Sequence, residues 1–373
     1  MADSFWLAEP APALPVRKLQ GAPEVEIVGG GVTGCSCALA LARAGVRVRL
    51  HETRTIACGA SGRNGGFALR GGAMSYDTAR TKLGPQRARD FWALTERGLE
   101  SIRELAGDAF RQTGSLRLAS DTSELVELEA EFRALEQDAF AVEWLDELPP
   151  HLGRFAGGVR HLPDASIHPA RWLRRLAQHA AEAGAELREG SRVEKLTHLT
   201  APTIVIATDG YTSGLVPELD AVIGPIRNQV VVTEPLDELL FPLPHYARHG
   251  YDYWQQLLDH RLVVGGRRDA DEAENTGEET LTSVIQERLE SLIVELVGRL
   301  PAITHRWAGI FGSSPDGRPL AGAVPKRDGL WVAAGYSGHG NVLGFVCGEL
   351  VAAAILGASP PELELFDPAR ILG

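Results

Sequence analysis

Apolar residues fall into two kinds of run along this chain. Short, nearly unbroken runs at 25–28, 203–208 and 330–335 predict strands, and Thr203-Ile204-Val205-Ile206-Ala207 suits a parallel strand covered on both faces. Val46-Arg47-Val48-Arg49-Leu50 and 115–119 alternate as strands do, and a short strand is expected at Arg192-Val193-Glu194. Helical spacing covers 35–44, closed by Gly45, then 77–105, 121–138 and 280–299. His168-Pro169 opens a helix over 170–183, and Gly338-His339-Gly340-Asn341 opens a long apolar one. The acidic run within 121–138 reads as a solvated face. Between 216 and 310 the character changes: 228–233 and 261–266 predict antiparallel strands, with the aromatic segment 246–254 between them.

These elements predict an α/β chain of two domains (α+β in overall organisation). A Rossmann-like nucleotide domain is expected from residues 1–80, 151–215 and 311–373. A domain with a mixed antiparallel sheet is expected from 81–150 and 216–310. The Pro- and Ala-rich stretch 1–23 predicts an extended arm over the surface.

Composition narrows the picture by exclusion. A formal net charge of −12 over 373 residues gives no footprint for nucleic acid or an anionic membrane. Cys35, Cys37, Cys58 and Cys347 have neither disulfide-framework nor metal-ligand spacing, so reduced thiols and no metal are expected. The first residues lack the charged and apolar blocks of a signal peptide. The longest apolar stretch, 345–358, is too short to span a bilayer and contains Glu349, so a cytoplasmic protein is expected.

The chemistry begins where strand 25–28 runs into Gly29-x-Gly31-x-x-Gly34, in which Val32 and Thr33 are also candidate cofactor-binding residues ahead of the helix 35–44. Gly29 permits the tight turn, Gly31 lets backbone approach a pyrophosphate, and Gly34 lets the helix lie close to the sheet. The positive helix N-terminus faces the phosphates. Glu52 follows the second strand, where an acid accepts the ribose hydroxyls of a dinucleotide. The triplet alone would also permit a nicotinamide-linked dehydrogenase.

Two further motifs are more specific: Gly59-Ala60-Ser61-Gly62-Arg63-Asn64-Gly65-Gly66, and Ser314-Pro315-Asp316-Gly317-Arg318-Pro319 followed by Gly335-Tyr336-Ser337-Gly338-His339-Gly340. With them the chain resembles the D-amino-acid oxidase and glycine/sarcosine oxidase superfamily of FAD enzymes over nearly its whole length. It is most similar to the gamma-glutamylputrescine oxidoreductase-like subgroup, which also carries a Ser-aromatic-Trp arm.

The resemblance implies noncovalent FAD. It places Ser61, Gly62, Arg63, Asn64, Gly65 and Gly66 around the ribityl chain and flavin edge, and Val193 near the adenine. Gly312, Gly335, Gly338, His339, Gly340 and Asn341 fall at the flavin, where a helix N-terminus favours the charge of the reduced ring. The implied activity is oxidation of a C–N bond of a small-molecule amine or N-substituted amino acid, with hydride passing to FAD and the imine hydrolysing. Molecular oxygen, giving hydrogen peroxide, or another acceptor then takes the electrons. A D-amino-acid or glycine-type oxidase, a dehydrogenase with another acceptor, and a noncatalytic flavin-binding protein are the alternatives.

Relatives hold a substrate carboxylate with an arginine after a Trp-Ala-Gly-like segment; here Trp307-Ala308-Gly309-Ile310 leads to Phe311. An aromatic cannot pair with a carboxylate, which favours an amine without one at the reacting carbon. Arg70, just past the flavin loop, is the candidate anion clamp, with a surface or phosphate-facing role as the alternative. Tyr251, Tyr253 and Trp254 fall in the segment that lines the pocket in relatives, core packing being the alternative for each. His339 is read as a helix-entry residue near the flavin, with acid–base work as the alternative. Gly309 stands where sarcosine oxidases carry a flavin-linking cysteine, and Val263 where they carry an oxygen-activating lysine. The short link from Val193 to Ile204 should trim the domain near the adenine.

Overall fold

The computed structural model describes residues 4–373. A strand β1 (Val25–Val28), a helix α1 (Val32–Arg43) and a strand β2 (Val48–His51) form the expected unit. β1 is the centre of a six-stranded sheet ordered Leu320–Ala323, Leu330–Ala334, Thr203–Ile206, β1, β2, Glu186–Arg188. All neighbours are parallel except the first pair. Thr203–Ile206 therefore lies between two parallel strands, which explains its lack of polar alternation. The late helix Gly340–Ile355 packs against α1, and the Ser36 hydroxyl donates to the Phe345 carbonyl across the contact at 2.7 Å. The centre of the sheet thus draws on both ends of the chain.

A second sheet has eight strands, ordered Ile303–Ser313, Gly224–Pro235, Arg261–Gly266, Asp252–Gln256, His245–Ala247, Ser115–Ala119, Gly157–His161, Val142–Leu145. Only His245–Ala247 and Ser115–Ala119 pair in parallel, so the sheet is mixed. The helix Ser283–Val297 covers one face, where Leu116, Trp254, Leu262, Val264 and Leu289 form a core. Gly157–His161 is hydrogen-bonded into this sheet, although residues 151–215 were expected in the nucleotide domain. Among the described residues no helix is long and apolar enough to cross a membrane.

Several local expectations need correction. The helix expected over 77–105 is two helices, Tyr76–Leu83 and Pro85–Ala106, because Gly84 (φ +88°) and Pro85 break the ladder between them. Residues 192–194 form no strand; the edge strand beside β2 is Glu186–Arg188. The acidic helix, Thr122–Gln137, is not simply a solvated face, since Glu124 and Glu131 are buried. Glu131 pairs with Arg117, and Glu124 accepts the amides of Ser120, Arg248 and His249.

The arm is more than a surface strap. Ser4 and Trp6 are buried in a short turn. The Ser4 hydroxyl donates to the Gly62 carbonyl, and Trp6 Nε1 donates to the Asn64 carbonyl, each at 2.8 Å. Beyond it Glu9 pairs with Arg171, while most of residues 10–20 are exposed as expected. His168 caps the helix Pro169–Glu182 by accepting the Arg171 amide at Nδ1, and its ring meets Trp6 edge-on at 5.0 Å.

Burial pushes the His168 pKa from 6.5 down to about 4, while the hydrogen bond from Arg171 holds the Glu9 carboxyl below its usual range. Both groups bind protons more readily in the unfolded chain, so their contribution is lost as pH falls. Stability is expected to decline between pH 6.5 and about 4. Thermal unfolding across that window should show it, with a shallower loss in His168→Asn, which keeps a capping side chain without the titration.

Candidate active site

A single cavity of about 1570 Å³ runs from the dinucleotide motif to the inner face of the eight-stranded sheet. At one end Gly29, Gly31, Val32 and Thr33 border it. Gly29 has φ +114°, where a side chain would also collide with the Ala207 carbonyl. Gly34 does not border the cavity. Its role is close packing, since a Cβ there would overlap the Gly29 carbonyl oxygen. Glu52 closes this end: Oε2 accepts the Gly30 amide and Oε1 the Arg54 amide, each at 2.8 Å. The carboxylate is thereby fixed on the cavity wall with lone pairs left to accept further hydroxyls. Val193 lines the same end from its loop.

The loop 59–66 crosses the middle of the cavity and is braced from three sides. Ser61 Oγ accepts the Val32 amide at the start of α1 (3.0 Å). Arg63 is buried and donates to the carbonyls of Cys58 (2.8 Å) and Ala308 (3.2 Å), while Trp307 Nε1 donates to the Arg63 carbonyl (2.8 Å). Asn64 and Asn341 exchange two side-chain hydrogen bonds of 3.1 Å, clasping the loop to the start of helix Gly340–Ile355. Gly65 borders the cavity. Gly62 and Gly66 lie behind the loop, the first against the arm and the second against Asn64 Oδ1, which its amide reaches at 2.9 Å.

The C-terminal segments are held by Asp209, which local sequence marks only as part of an Asp-Gly turn. Asp209 is half-buried on the cavity wall, in a left-handed turn (φ +46°) just after Thr203–Ile206. Its two oxygens accept the amides of Gly312 and Gly335, each at 2.8 Å. Those glycines are therefore tied back to Asp209 rather than bordering the cavity, whereas Gly338, His339, Gly340 and Asn341 do border it. Thr33 Oγ1 meets the Tyr336 hydroxyl at 2.8 Å and links α1 to the same turn. His339 occupies the N-cap position of helix Gly340–Ile355; burial pushes its pKa down, and its Nδ1 has no partner among the described residues. Its neutral ring supplies a helix entry, not a standing charge.

Tyr251, Tyr253 and Phe311 also line the cavity, with the Tyr253 ring against Gly65 and edge-on to Phe67 at 5.6 Å. Burial keeps the Tyr253 phenol protonated. Trp254 is a correction: as the next residue of the strand it points to the other face, stacked between His245 and Phe155 in the second core. Arg70 borders the cavity with its side chain buried, where Nη1 pairs with Glu96 (2.7 Å) and Nη2 meets His161 Nδ1 (3.3 Å). The Arg117–Glu131 pair also borders the cavity. Arg268, unmarked in the sequence, lies over the rings of Tyr251 and Phe311.

The cradle suits FAD in its donor set: a helix N-terminus for the pyrophosphate, a fixed carboxylate for the ribose, and a glycine-bordered slot between two sheets for the ring system. The family profile described as DAO, FAD dependent oxidoreductase, matches residues 24–354. The chain belongs to this family. It is an FAD-dependent oxidoreductase, as the 59–66 and 335–340 motifs implied. A probable oxidoreductase OrdL of Rhizobium meliloti (strain 1021) is 29% identical, the similarity covering 96% of this chain and 89% of that protein. Gamma-glutamylputrescine oxidoreductase of Escherichia coli (strain K12) is 28% identical over 92% of this chain and 85% of that one. The crystal structure of glycine oxidase from Geobacillus kaustophilus superimposes with a TM-score of 0.78 at 25% identity, covering 94% of this chain and all of that one.

Proposed function

We propose that this protein oxidises a C–N bond of a small amine or N-substituted amino acid, with oxygen as the electron acceptor. The observation that carries the reading is the continuity of one cavity, which joins the dinucleotide cradle to an aromatic wall of Tyr251, Tyr253 and Phe311. FAD held by the α1 N-terminus, Glu52 and the 59–66 loop would supply an acceptor for the hydride of the carbon next to nitrogen and a route for its electrons to oxygen as hydrogen peroxide, leaving an imine that hydrolyses in water.

The chain's own part is positioning. The aromatic wall presents apolar faces that strip water from a neutral amine and hold its reacting carbon. The Asn64–Asn341 clasp ties the 59–66 loop to the start of helix Gly340–Ile355. The neutral His339 and protonated Tyr253 add no fixed charge that would favour an ammonium form, which cannot give up a hydride. Similarity to gamma-glutamylputrescine oxidoreductase and glycine oxidase supports both the amine and the amino-acid side of the substrate class.

The test is an anaerobic series in which purified holoenzyme meets primary amines, N-methyl amino acids, glycine and D-amino acids. Bleaching of the visible flavin bands by an amine, with colour and hydrogen peroxide returning on admission of air, is the expected result. Bleaching without recovery in air would move the acceptor from oxygen to another carrier. A yellow protein that no member bleaches would refute the substrate class.

A further inference from the structure

We infer that Arg268 is a carboxylate anchor of the substrate site, so that the preferred substrate is an amine bearing a carboxylate. This rests on the amine-oxidoreductase reading above. The guanidinium carbon lies 4.4 Å from the centre of the Tyr251 ring and 5.5 Å from that of Phe311, and the side chain borders the cavity. Stacking on a ring face leaves the in-plane N–H fork of an arginine open, the geometry a carboxylate accepts with both oxygens.

What singles Arg268 out is the state of its neighbours. Arg267 pairs with Asp252 and Glu295, and Arg248 pairs with Asp252 and Asp269, so these three acids beside the turn are already engaged. Around the cavity, Arg54 pairs with Glu279, Arg70 with Glu96 and Arg117 with Glu131, and Arg63 lies 3.7 Å from Glu279 and donates to two carbonyls. Among the described residues only Arg192, exposed at the Glu52 end, and Arg268 line the cavity without an acidic partner. A half-buried cation with no counter-ion gains when an anion enters beside it. The position also answers the substitution at 311. The aromatic that replaces the relatives' arginine supplies a face on which a cation from the neighbouring turn lies. The positive charge is relocated, not lost, and an α-carboxylate is no longer disfavoured by Phe311.

The experiment titrates anaerobic holoenzyme with acetate and with neutral acetamide, following the visible flavin spectrum. It then compares N-methylglycine with dimethylamine, and 4-aminobutanoate with propylamine, as reductants. Wild type is expected to bind acetate about 10- to 100-fold more tightly than acetamide, the range of one charge-assisted bidentate contact. Arg268→Gln should reduce that preference to within about 3-fold while keeping its FAD content and melting temperature. Arg268→Lys, which keeps the charge without the planar fork, should fall between. Equal binding of acetate and acetamide by wild type, or a preference that survives in Arg268→Gln, would overturn the proposal. Loss of FAD from both variants would also overturn it, since the arginine would then serve the cofactor. If acetate discrimination behaves as expected but no amine of either pair reduces the flavin, the anion site stands and the amine reading falls.

Discussion

Trp6→Ala is expected to yield protein that loses FAD on desalting, although the residue touches no part of the cavity. Trp6 is 1% exposed, it donates to the Asn64 carbonyl, and the side chain of Asn64 is half of the clasp to Asn341. Removing a buried indole costs about 3–5 kcal/mol through lost contacts and the void left behind. Here the void opens beneath the 59–66 loop, so the loss is felt where the slot is braced. Trp6→Phe should retain part of the packing but not the hydrogen bond, and should hold FAD less tightly than wild type. The check is the ratio of flavin to protein absorbance after desalting, with far-UV circular dichroism to show that the sheets persist. Full FAD retention in Trp6→Ala would mean that the loop stands without the arm.

Asp209→Asn should weaken FAD binding through a different route. Asparagine keeps the volume and tolerates the left-handed turn, so the substitution isolates the loss of one acceptor oxygen. One of the amides of Gly312 and Gly335 must then face an NH₂ group or go unpaired, at about 1–3 kcal/mol for a buried donor. Asp209→Ala frees both amides and should be worse. Since these two strand ends set the positions of Phe311 and of the turn into helix Gly340–Ile355, the slot should loosen on both sides. Reconstitution of apoprotein followed by flavin fluorescence measures the effect. Affinity within about 3-fold of wild type in Asp209→Asn would show that the amides find other partners.

The parts of the site legible in sequence are those whose partners are close along the chain. β1, the glycine turn, α1, β2 and Glu52 form one contiguous unit, so local pattern and spacing were enough to locate them. Asp209 was not legible, because the amides it accepts come from residues more than 100 positions away and a left-handed Asp in Asp-Gly resembles any turn. Trp254 misled for another reason: Tyr253 and Trp254 are both aromatic, and with both faces of the strand buried the alternation does not say which residue meets the cavity. The acidic helix concealed Glu124 and Glu131, since their burial depends on Arg117 and on a turn at Arg248 that belong to other strands. Arg268 sits beside another arginine in the sequence, and only the tertiary pairing of Arg267 leaves it distinct.

The Asn64–Asn341 clasp joins residues 277 positions apart. During synthesis the N-terminal part of a chain emerges first. The 59–66 loop is therefore made long before the residue that holds it, and Thr203–Ile206 waits with one edge unpaired until Leu330–Ala334 arrives. Such an edge is open to pairing with other chains in the interval. Cofactor loading is therefore expected to follow the arrival of helix Gly340–Ile355, and chains stalled before it are expected to be colourless and prone to aggregate.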